Sequence, residues 1–477
     1  MSNPSARPHV AIIGAGFTGL AAAWELIGRG VDVTVLESDG EVGGLAGSFP
    51  VGATRLEKFY HHWFTSDTHV TELVRELGRE DRVLRRATRT GMYFARQRFR
   101  LSSPLDLLRF TPLSPVNRVR LGLLALRARR VRDWRTLENM SAEEWLVRLG
   151  GREVYQVVWS PLLQGKFGIH AGEISAVWFW NKLKLRGGSR DRSGAEVLAY
   201  YRGGFAALSQ ELSERIAAAG GSIRLGEPVT RVHAVEGRVT ALETTRGLVD
   251  ADAVIATPAL PIVADLLAPH VPADYLASLR RVRYLANLCV VLELDRSLSD
   301  TYWLNVNDPG FPFVGVIEHT NFEPPSTYGG RHLVYLSKYL PETDQLYRLP
   351  DHEVVAFCLE HLRRMFPAAG AGWVLASHVW RARFAQPLVE RGYGRLIPPL
   401  TTPLRGFNLS TMAQVYPEDR GTNYAIREGR KAAREVARSL WDQPPQVARP
   451  IRHSMDRVPP GPGPSMRATR VSPATRR

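Results

Sequence analysis

The chain is poor in the residues that mark several classes of protein. It has only two cysteines, Cys289 and Cys358, which excludes a disulfide framework and a cysteine-based zinc site. It contains no apolar run near the roughly 20 residues that a membrane-spanning helix needs. Its N-terminus lacks the charged and then apolar layout of an export signal, so we expect a cytoplasmic protein.

Lysine is also scarce, because only six of the 62 basic residues are lysines and the rest are arginines. The formal net charge is nevertheless +15, which favours anionic partners such as phosphates, nucleic acids or an acidic membrane surface. Codon usage in a GC-rich genome is an equally good explanation of the arginine excess. No nucleic-acid-binding motif accompanies the charge, so we expect no nucleic acid partner.

The residues that are present favour a folded protein of more than one domain. Apolar residues make up 44% of the 477 residues, which is enough to bury a core and excludes disorder over most of the chain. At about 150 residues per domain, this length allows two or three domains. Residues 443–477 contain eight prolines, seven arginines and one acid, so we predict a disordered basic tail there.

The clearest local pattern lies in the first 40 residues. A short apolar run at 10–13 predicts a buried parallel strand, and residues 14–19 read Gly-Ala-Gly-Phe-Thr-Gly. A helix rich in alanine is predicted at 20–27, and a second strand at 31–36 ends at Glu37. The order and spacing predict a βαβ unit of a parallel sheet.

The glycines of this loop have the spacing of a dinucleotide-binding site. Gly14 permits the tight turn, Gly16 lets the backbone approach a pyrophosphate, and Gly19 allows close packing of the helix. The N-terminus of the helix directs the positive end of its dipole at the phosphates. Glu37 is placed to accept hydrogen bonds from the adenosine ribose, and it disfavours a 2′-phosphate. The contacts predicted for this segment are Gly14, Gly16, Phe17, Thr18, Gly19, Glu37 and Ser38.

A second glycine motif resembles one that flavoproteins use. Gly43 and Gly44 begin the run Gly-Gly-Leu-Ala-Gly-Ser shortly after Glu37. In its context this run resembles the second phosphate-contacting motif of the superfamily that contains amine oxidases, protoporphyrinogen oxidases, phytoene desaturases and UDP-galactopyranose mutases. The resemblance implies FAD as cofactor, with contacts from Gly43, Gly44 and Leu45. Many members carry basic residues where this chain has Glu41 and Leu45.

Three further segments extend the resemblance to about residue 440. Residues 56–67 resemble the segment that passes the flavin ring in the mutases and protoporphyrinogen oxidases. Residues 227–232 are similar to the strand whose valine, here Val229, pairs with the adenine through its backbone. Residues 412–426 occupy the place of the last flavin-contacting motif, at the start of a long helix. The contacts that these segments imply are Val229, Asp419, Gly421, Thr422 and Asn423.

These motifs imply an α/β fold with a discontinuous, Rossmann-like FAD-binding domain and a second, mixed α+β substrate domain. Alternating segments at 222–225, 229–235 and 239–245 predict a small antiparallel meander. The predicted domains are residues 1–85, 200–265 and 405–442 for FAD, residues 86–199 and 266–404 for the substrate, and residues 443–477 for the tail.

Two adjacent histidines are the first candidates for catalysis. His61 and His62 fall where the family chain passes the flavin ring, and an imidazole there could bind the ring or accept a substrate proton near neutral pH. The alternative is that one histidine packs inside a loop and the other faces solvent. Amine oxidases commonly place a lysine on the strand that corresponds to residues 285–292, which contain none. This departure argues against simple amine oxidation.

Arg383 is the third candidate for the active site. Residues 380–387 resemble the substrate-side strand that precedes the last flavin motif, where Arg383 and Gln386 could face a polar or anionic substrate. The alternative is that Arg383 is a surface ion-pair residue. Lys166 could bind a phosphate or simply be solvated. We expect a small-molecule substrate, with anionic and phosphorylated compounds among the candidates, and no metal site.

A basic segment between Arg85 and Arg135 contains fourteen arginines and two acids. Such a stretch could lie on an anionic membrane, as the corresponding insertion of protoporphyrinogen oxidases does, which leaves peripheral membrane contact as one possibility. The simpler expectation is that an apolar stripe packs on the second domain while the arginines are solvated. The residues of this stripe are Val116, Val119, Leu123, Leu124 and Leu126.

The function that the resemblance implies is an FAD-dependent oxidoreductase, an oxidase or dehydrogenase that transfers a hydride from a small molecule to flavin N5. The alternative is a nucleotide-sugar mutase of the UDP-galactopyranose mutase type, which uses reduced flavin. Residues 60–67 and the arginine-rich composition support the mutase. A flavin-binding protein without catalysis is a third hypothesis.

Overall fold

The computed structural model describes residues 7–100, 104–189, 196–369 and 371–442, so the predicted tail at 443–477 lies outside the described residues. The strands are β1 (His9–Ile13), β2 (Asp32–Leu36), β3 (Ser48–Val51), β4 (Thr54–Glu57), β5 (Trp63–Phe64), β6 (Val83–Thr88), β7 (Thr90–Phe94), β8 (Gln97–Arg100), β9 (Glu196–Tyr201), β10 (Ser222–Arg224), β11 (Val229–Val235), β12 (Arg238–Thr244), β13 (Gly247–Asp250), β14 (Ala253–Ala256), β15 (Tyr284–Leu294), β16 (Trp303–Val306), β17 (Gly315–Glu318), β18 (His332–Leu340), β19 (Val374–Pro387) and β20 (Phe407–Leu409). The α-helices are α1 (Phe17–Ile27), α2 (Thr68–Glu76), α3 (Pro104–Leu108), α4 (Pro115–Arg129), α5 (Ala142–Gly150), α6 (Arg152–Val154), α7 (Ser160–Phe167), α8 (Ala176–Gly188), α9 (Gly204–Ala218), α10 (Leu260–Leu267), α11 (Ala273–Arg281), α12 (Gln345–Arg348), α13 (Asp351–Met365) and α14 (Thr422–Trp441).

A five-stranded parallel sheet carries the first βαβ unit. Its strand order is β10-β2-β1-β14-β20, and its strands come from three distant parts of the chain. β1 and β14 are buried along nearly their whole length, as their apolar sequences predict. Helix α1 packs against this sheet and against the long helix α14. The predicted α/β class and the Rossmann-like sheet are confirmed.

The antiparallel meander begins later in the chain than its sequence pattern predicts. Residues 222–225 are wrongly assigned to it, because β10 pairs in parallel with β2 and places Ser222 opposite Thr34. Helix α9, which packs on α1, returns the chain to the open edge of β2 and so creates this pairing. The meander itself consists of β11, β12 and β13.

A seven-stranded mixed sheet forms the second large layer. Its order is β19-β15-β18-β17-β16-β7-β8, and neighbouring strands are antiparallel except for β16 and β7. β15 is buried at every residue after Tyr284, because its two faces pack into different hydrophobic clusters, with Val291 on one side and Val290 on the other. The sheet therefore provides a rigid wall. The boundaries of the two predicted domains stay predictions.

Helix α4 does not bury the apolar stripe that its sequence identifies. Val116, Val119, Leu123 and Leu126 are between 41% and 62% exposed. Packing of the stripe is therefore a wrong prediction for these four residues, and only Leu124 lies in the core. Among the helices of the described residues, none has the length and the apolar character that crossing a membrane requires.

Candidate functional site

Two glycine turns meet at the carboxyl end of β1. The amide of Gly43 donates to the carbonyl of Ala15 at 2.9 Å, and Gly16 forms a β-bridge with Gly43. A Cβ atom built on Gly44 would lie 3.3 Å from the Cα of Gly16. The two turns therefore present backbone rather than side chains to the space beside them, as a pyrophosphate site requires.

The start of helix α1 supplies the second feature of this region. Its N-cap residue, Gly16, makes no side-chain hydrogen bond to the first turn. The N–H groups of that turn and the helix dipole consequently favour an anion there. Phe17 is buried edge-on against Phe205, with 6.2 Å between ring centroids, so only its backbone can face a ligand.

Glu37 ends β2 beside the same turns. One carboxylate oxygen accepts from the amide of Ala15 at 2.7 Å, and the other accepts from the amide of Asp39 at 2.9 Å and the hydroxyl of Ser38 at 3.1 Å. The amide of Glu227 donates to the carbonyl of Glu37 at 2.8 Å, which brings the start of β11 and Val229 to this edge. The structure thus brings together the residues predicted for the adenosine half.

A cavity of about 1020 Å³ lies between the start of α14 and the seven-stranded sheet. Helix α14 follows Gly421, which gives its first turn no side-chain cap, and this end opens onto the cavity. The turn Gly44–Ala46 connects the cavity to the glycine loops. The predicted site residues that line the cavity are Leu45, His61, His62, Asp419, Gly421, Thr422 and Asn423.

The two histidines both line the cavity but differ in their hydrogen bonds. Nδ1 of His61 donates to the carbonyl of Phe59 at 2.6 Å, which leaves Nε2 as the accepting nitrogen. Burial lowers the pKa of His61 to about 4, because the hydrogen bond to Phe59 offsets only part of the desolvation. Nδ1 of His62 lies 2.9 Å from the hydroxyl of Tyr302. His61 is therefore neutral near pH 7, and its catalytic role stays a prediction.

A cluster of charged side chains occupies one end of the cavity. Asp419 is buried, and its carboxylate pairs with Lys182 at 2.6 Å and with Lys166 at 4.0 Å. Burial alone would raise the pKa of Asp419, but the charges of Lys182, Lys166 and Arg420 hold it well below its usual range. The side-chain amide of Gln386 donates to the other carboxylate oxygen at 3.2 Å. The carboxylate is therefore ionised and fully engaged within the protein.

Arg420 adds a further positive charge to the same wall. Its Nη2 donates to the hydroxyl of Tyr339 at 2.7 Å. Its Nε is buried and has no hydrogen-bond partner among the residues that the structure describes. The guanidinium therefore retains donor capacity on the side of the cavity, which it lines together with Tyr339.

These features fit a bound FAD molecule. The glycine turns leave the space that a Cβ would fill, Glu37 ends β2 beside them, and the uncapped start of α14 faces the cavity. Residues 17–437 match the model of the family described as flavin containing amine oxidoreductase. The chain belongs to this family. The predicted superfamily, the cofactor FAD and the class of FAD-dependent oxidoreductase are thereby confirmed at the level of the family.

Two curated relatives of this flavin-containing oxidoreductase show partial matches. The phytoene dehydrogenase of Streptomyces griseus is 29% identical over 312 residues, which cover 55% of this chain and 57% of that protein. The mitochondrial protoporphyrinogen oxidase of Nicotiana tabacum is 28% identical over 172 residues, which cover 34% of this chain and 33% of that protein. The matched parts thus span between a third and three fifths of these two proteins.

Solved structures share the fold of this oxidoreductase over nearly its whole length. Cyclohexylamine oxidase from Brevibacterium oxydans IH-35A has a TM-score of 0.69 at 19% identity. The match covers 92% of this chain and 100% of the oxidase chain. Reduced UDP-galactopyranose mutase has a TM-score of 0.69 at 16% identity. The match covers 91% of this chain and 96% of the mutase chain. Identities this low show the fold alone, so neither chemistry follows from them.

The structure does not bring Arg383 of this oxidoreductase to the cavity. Its side chain is 62% exposed and pairs with Glu342. Arg383 is therefore a surface ion-pair residue, which was the alternative interpretation of its sequence. The alternation of the strand explains this position, since Ala382, the preceding residue of β19, lines the cavity and the next side chain points to the opposite face. Gln386, rather than Arg383, reaches the charged cluster.

Several residues that line the cavity of this oxidoreductase are not predicted from the sequence. Tyr339, Asn287 and Lys182 lie on elements that the sequence does not place next to one another, and each is an ordinary residue in its own segment. Arg420 carries the one available signal, because it directly follows Asp419 in the last flavin-contacting motif. Lys166, which the sequence suggested as a phosphate ligand, pairs instead with Asp419.

Proposed function

We propose that this oxidoreductase removes a hydride from a large, mainly apolar molecule that carries one anionic or strongly polar group. The observation that carries the proposal is the cavity, whose walls are apolar over most of their area and charged at one end. Its volume, about 1020 Å³, includes the part beside Leu45 and the start of α14 that the flavin would occupy, and the remainder is lined mainly by apolar side chains. The side chains of its apolar part are Leu107, Leu121, Leu124, Val158, Leu162, Phe179, Leu183 and Leu185.

The charged end supports an anionic group on the substrate. Lys166, Lys182 and Arg420 contribute three positive charges, and Asp419 and Asp67 contribute two negative charges. The excess positive charge lies next to apolar walls, where the effective dielectric constant is low and attraction of an anion is strong. The names of the two curated relatives, a phytoene dehydrogenase and a protoporphyrinogen oxidase, also refer to large molecules rather than to small amines.

The residues of the chain then have separate tasks in the reaction. FAD, when bound, accepts the hydride that the substrate loses. The apolar walls exclude water and hold the substrate, and the lysines orient its polar end. Nε2 of His61 is unprotonated near neutral pH, and it can accept a proton from a substrate placed against it.

Anaerobic reduction of the bound flavin tests this proposal. We expect the yellow absorbance of the FAD-loaded protein to bleach when a polyene or a porphyrinogen with a carboxylate is added. Reduction by a small amine such as cyclohexylamine should be at least about tenfold slower, because a small amine leaves most of the apolar wall unfilled. The measurement is the rate constant of the absorbance change after rapid mixing.

The same experiment separates the oxidoreductase from the sugar mutase. Arg383→Ala is the control, since this exposed residue lies away from the cavity and the variant should keep the wild-type rate. The proposal would be wrong if only dithionite or NAD(P)H reduced the flavin. Isomerisation of a nucleotide sugar by the pre-reduced protein, with no net oxidation, would identify the mutase instead.

We also propose that α3 and α4 rest on an anionic membrane surface. Large apolar side chains on these helices are exposed, and exposed arginines lie between them. Apolar groups with interspersed positive charge suit the interface of an anionic bilayer. Val119, Leu123 and Leu126 also line the cavity, so an apolar substrate could enter it from the lipid. The exposed apolar residues are Leu105, Leu108, Val116, Val119, Leu123 and Leu126.

Sedimentation with vesicles tests the membrane contact. The wild type should bind vesicles that contain phosphatidylglycerol and bind pure phosphatidylcholine at least about tenfold more weakly, because roughly 1 kcal/mol per nearby arginine is lost. The triple variant L105E/L108E/V116E should lose binding, because it replaces three exposed apolar side chains with acids that an anionic bilayer repels. None of these three residues lines the cavity, so the site itself is unchanged. Leu248→Glu, at a 64% exposed residue of the meander, should bind as the wild type does. Equal binding by the triple variant would refute this contact surface.

A further inference from the structure

Asn287 carries an unused hydrogen-bonding atom into the cavity. This residue lies on β15, is 3% exposed, and lines the cavity. Its side-chain nitrogen donates to the hydroxyl of Ser337 at 3.0 Å. Its side-chain oxygen is buried and has no hydrogen-bond partner among the described residues. Native proteins rarely leave a buried polar atom without a partner, so this oxygen indicates a partner that the chain itself does not supply.

The surroundings of Asn287 place this oxygen in the polar part of the cavity. In the seven-stranded sheet, Asn287 pairs with Tyr339 on β18 and with Ala382 on β19, and all three residues line the cavity. The hydroxyl of Tyr339 accepts from Arg420, which lies just before the start of α14. Asn287 is therefore on the same wall as the residues that face the expected flavin and the polar end of the substrate.

A second asparagine in the same cavity shows what a satisfied amide looks like. The side-chain oxygen of Asn305 accepts from the indole N–H of Trp303 at 2.9 Å. Its side-chain nitrogen donates to the carbonyl of Gly91 at 3.3 Å. Both polar atoms of Asn305 are thus engaged within the protein, whereas Asn287 has an oxygen left for a ligand.

We infer that Asn287 is a positioning residue whose side-chain oxygen accepts a hydrogen bond from an N–H or O–H group of the molecule bound in the cavity. The inference rests on the proposed function for its ligand, since either the reduced flavin or the substrate can present such a donor. The N5–H group of the flavin ring exists only in the reduced form, so acceptance from that group by Asn287 would favour reduction. A donor on the substrate would instead strengthen substrate binding.

Two measurements on Asn287→Leu distinguish these donors. If the flavin is the donor, the two-electron midpoint potential of the FAD-loaded protein without substrate should fall by about 30 mV, which corresponds to a tenfold change in the equilibrium constant. If the substrate is the donor, the potential should stay the same and the dissociation constant of the substrate should rise about tenfold. Leucine has a similar volume and suits the apolar strand.

Asn321→Leu is the control, because Asn321 does not line the cavity and its side-chain nitrogen donates to the carbonyls of Ser299 and Thr301. This variant should leave both quantities near their wild-type values. Asn287→Ala provides the second variant in case leucine is not accommodated, and it should change the same quantity in the same direction. Unchanged potential and unchanged substrate affinity in both Asn287 variants would overturn the inference, as would equal changes in Asn321→Leu. Because the potential is measured without substrate, that arm remains valid even if the proposed substrate class is wrong.

Discussion

Gly16→Ala should abolish tight binding of FAD while leaving the protein folded. The backbone of Gly16 has φ −71° and ψ 174°, which alanine adopts without strain. A Cβ atom there would lie 3.9 Å from its nearest neighbour, the Cα of Gly44, so the chain has room for it. The methyl group would nevertheless occupy the space that a pyrophosphate needs. We expect the dissociation constant of FAD to rise at least about 100-fold.

Titration of the flavin-free protein with FAD, followed by fluorescence, measures this effect. The thermal unfolding of flavin-free Gly16→Ala should match that of the flavin-free wild type. Gly19→Ala is the informative comparison, because its Cβ would lie 1.9 Å from the carbonyl oxygen of Gly14 and must push the helix from the strand. That variant should unfold more easily even without FAD. Tight FAD binding by Gly16→Ala would contradict the location of the pyrophosphate.

Asp419→Asn should lower the free energy of unfolding by about 3 kcal/mol, because removal of the buried carboxylate leaves the partly buried positive charges around it uncompensated. The variant leaves Lys182 and Lys166 without the carboxylate that they share, next to the charge of Arg420. Asparagine is nearly the same size as aspartate, so the change is one of charge rather than of packing. Urea unfolding at pH 7 measures the effect.

Glu342→Gln is the matched control for this charge effect. It removes the carboxylate of an exposed pair with Arg383, whose side chain is 62% exposed, and such pairs contribute at most about 1 kcal/mol. We expect its unfolding curve to overlie that of the wild type. A loss in Asp419→Asn no larger than the loss in Glu342→Gln would show that the cluster does not depend on its carboxylate.

The dependence of stability on pH gives a second readout for Asp419. Its pKa in the folded protein is lower than in the unfolded chain, so its stabilising contribution is present above about pH 4 and is lost as the pH falls further. The acid limb of the stability curve below about pH 4 should therefore be shallower in Asp419→Asn. His61 acts in a different pH interval. Because its pKa is lowered in the folded protein, stability falls as the pH is lowered from about 6.5 to about 4, in the wild type and in Asp419→Asn alike.

The dinucleotide half of the site can be predicted from short stretches of sequence. The loop from Gly14 to Gly19 and the acid Glu37 lie within one βαβ unit, and the hydrogen bond from Ala15 to Glu37 closes it. Local spacing determines geometry here, because a strand, a tight turn and a helix of fixed length leave few arrangements. The pairing of β10 shows the limit of such local prediction. β10 pairs with β2 because α9 returns the chain to that edge, and its own sequence does not indicate this.

The substrate half of the site is decided by tertiary structure. The resemblance of residues 380–387 to a substrate-side strand predicts that Arg383 faces the substrate, but Ala382 takes the cavity side of β19 and Arg383 pairs with Glu342 at the surface. The apolar spacing of α4 predicts a buried stripe, yet the helix packs through Leu121 and Leu124 and exposes Leu126. Periodicity states which side chains share a face, and it does not state which face meets a neighbour.

The sequence by itself determined the parallel sheet and the glycine turns, because each depends on residues close together in the chain, and the flavin followed from the resemblance of several motifs to a known superfamily. Only the tertiary structure decided that Asn287, Tyr339 and Arg420 share one wall and that Lys182 pairs with Asp419. These side chains come from separate strands and helices, whose register and tilt are set by the packing of the whole molecule.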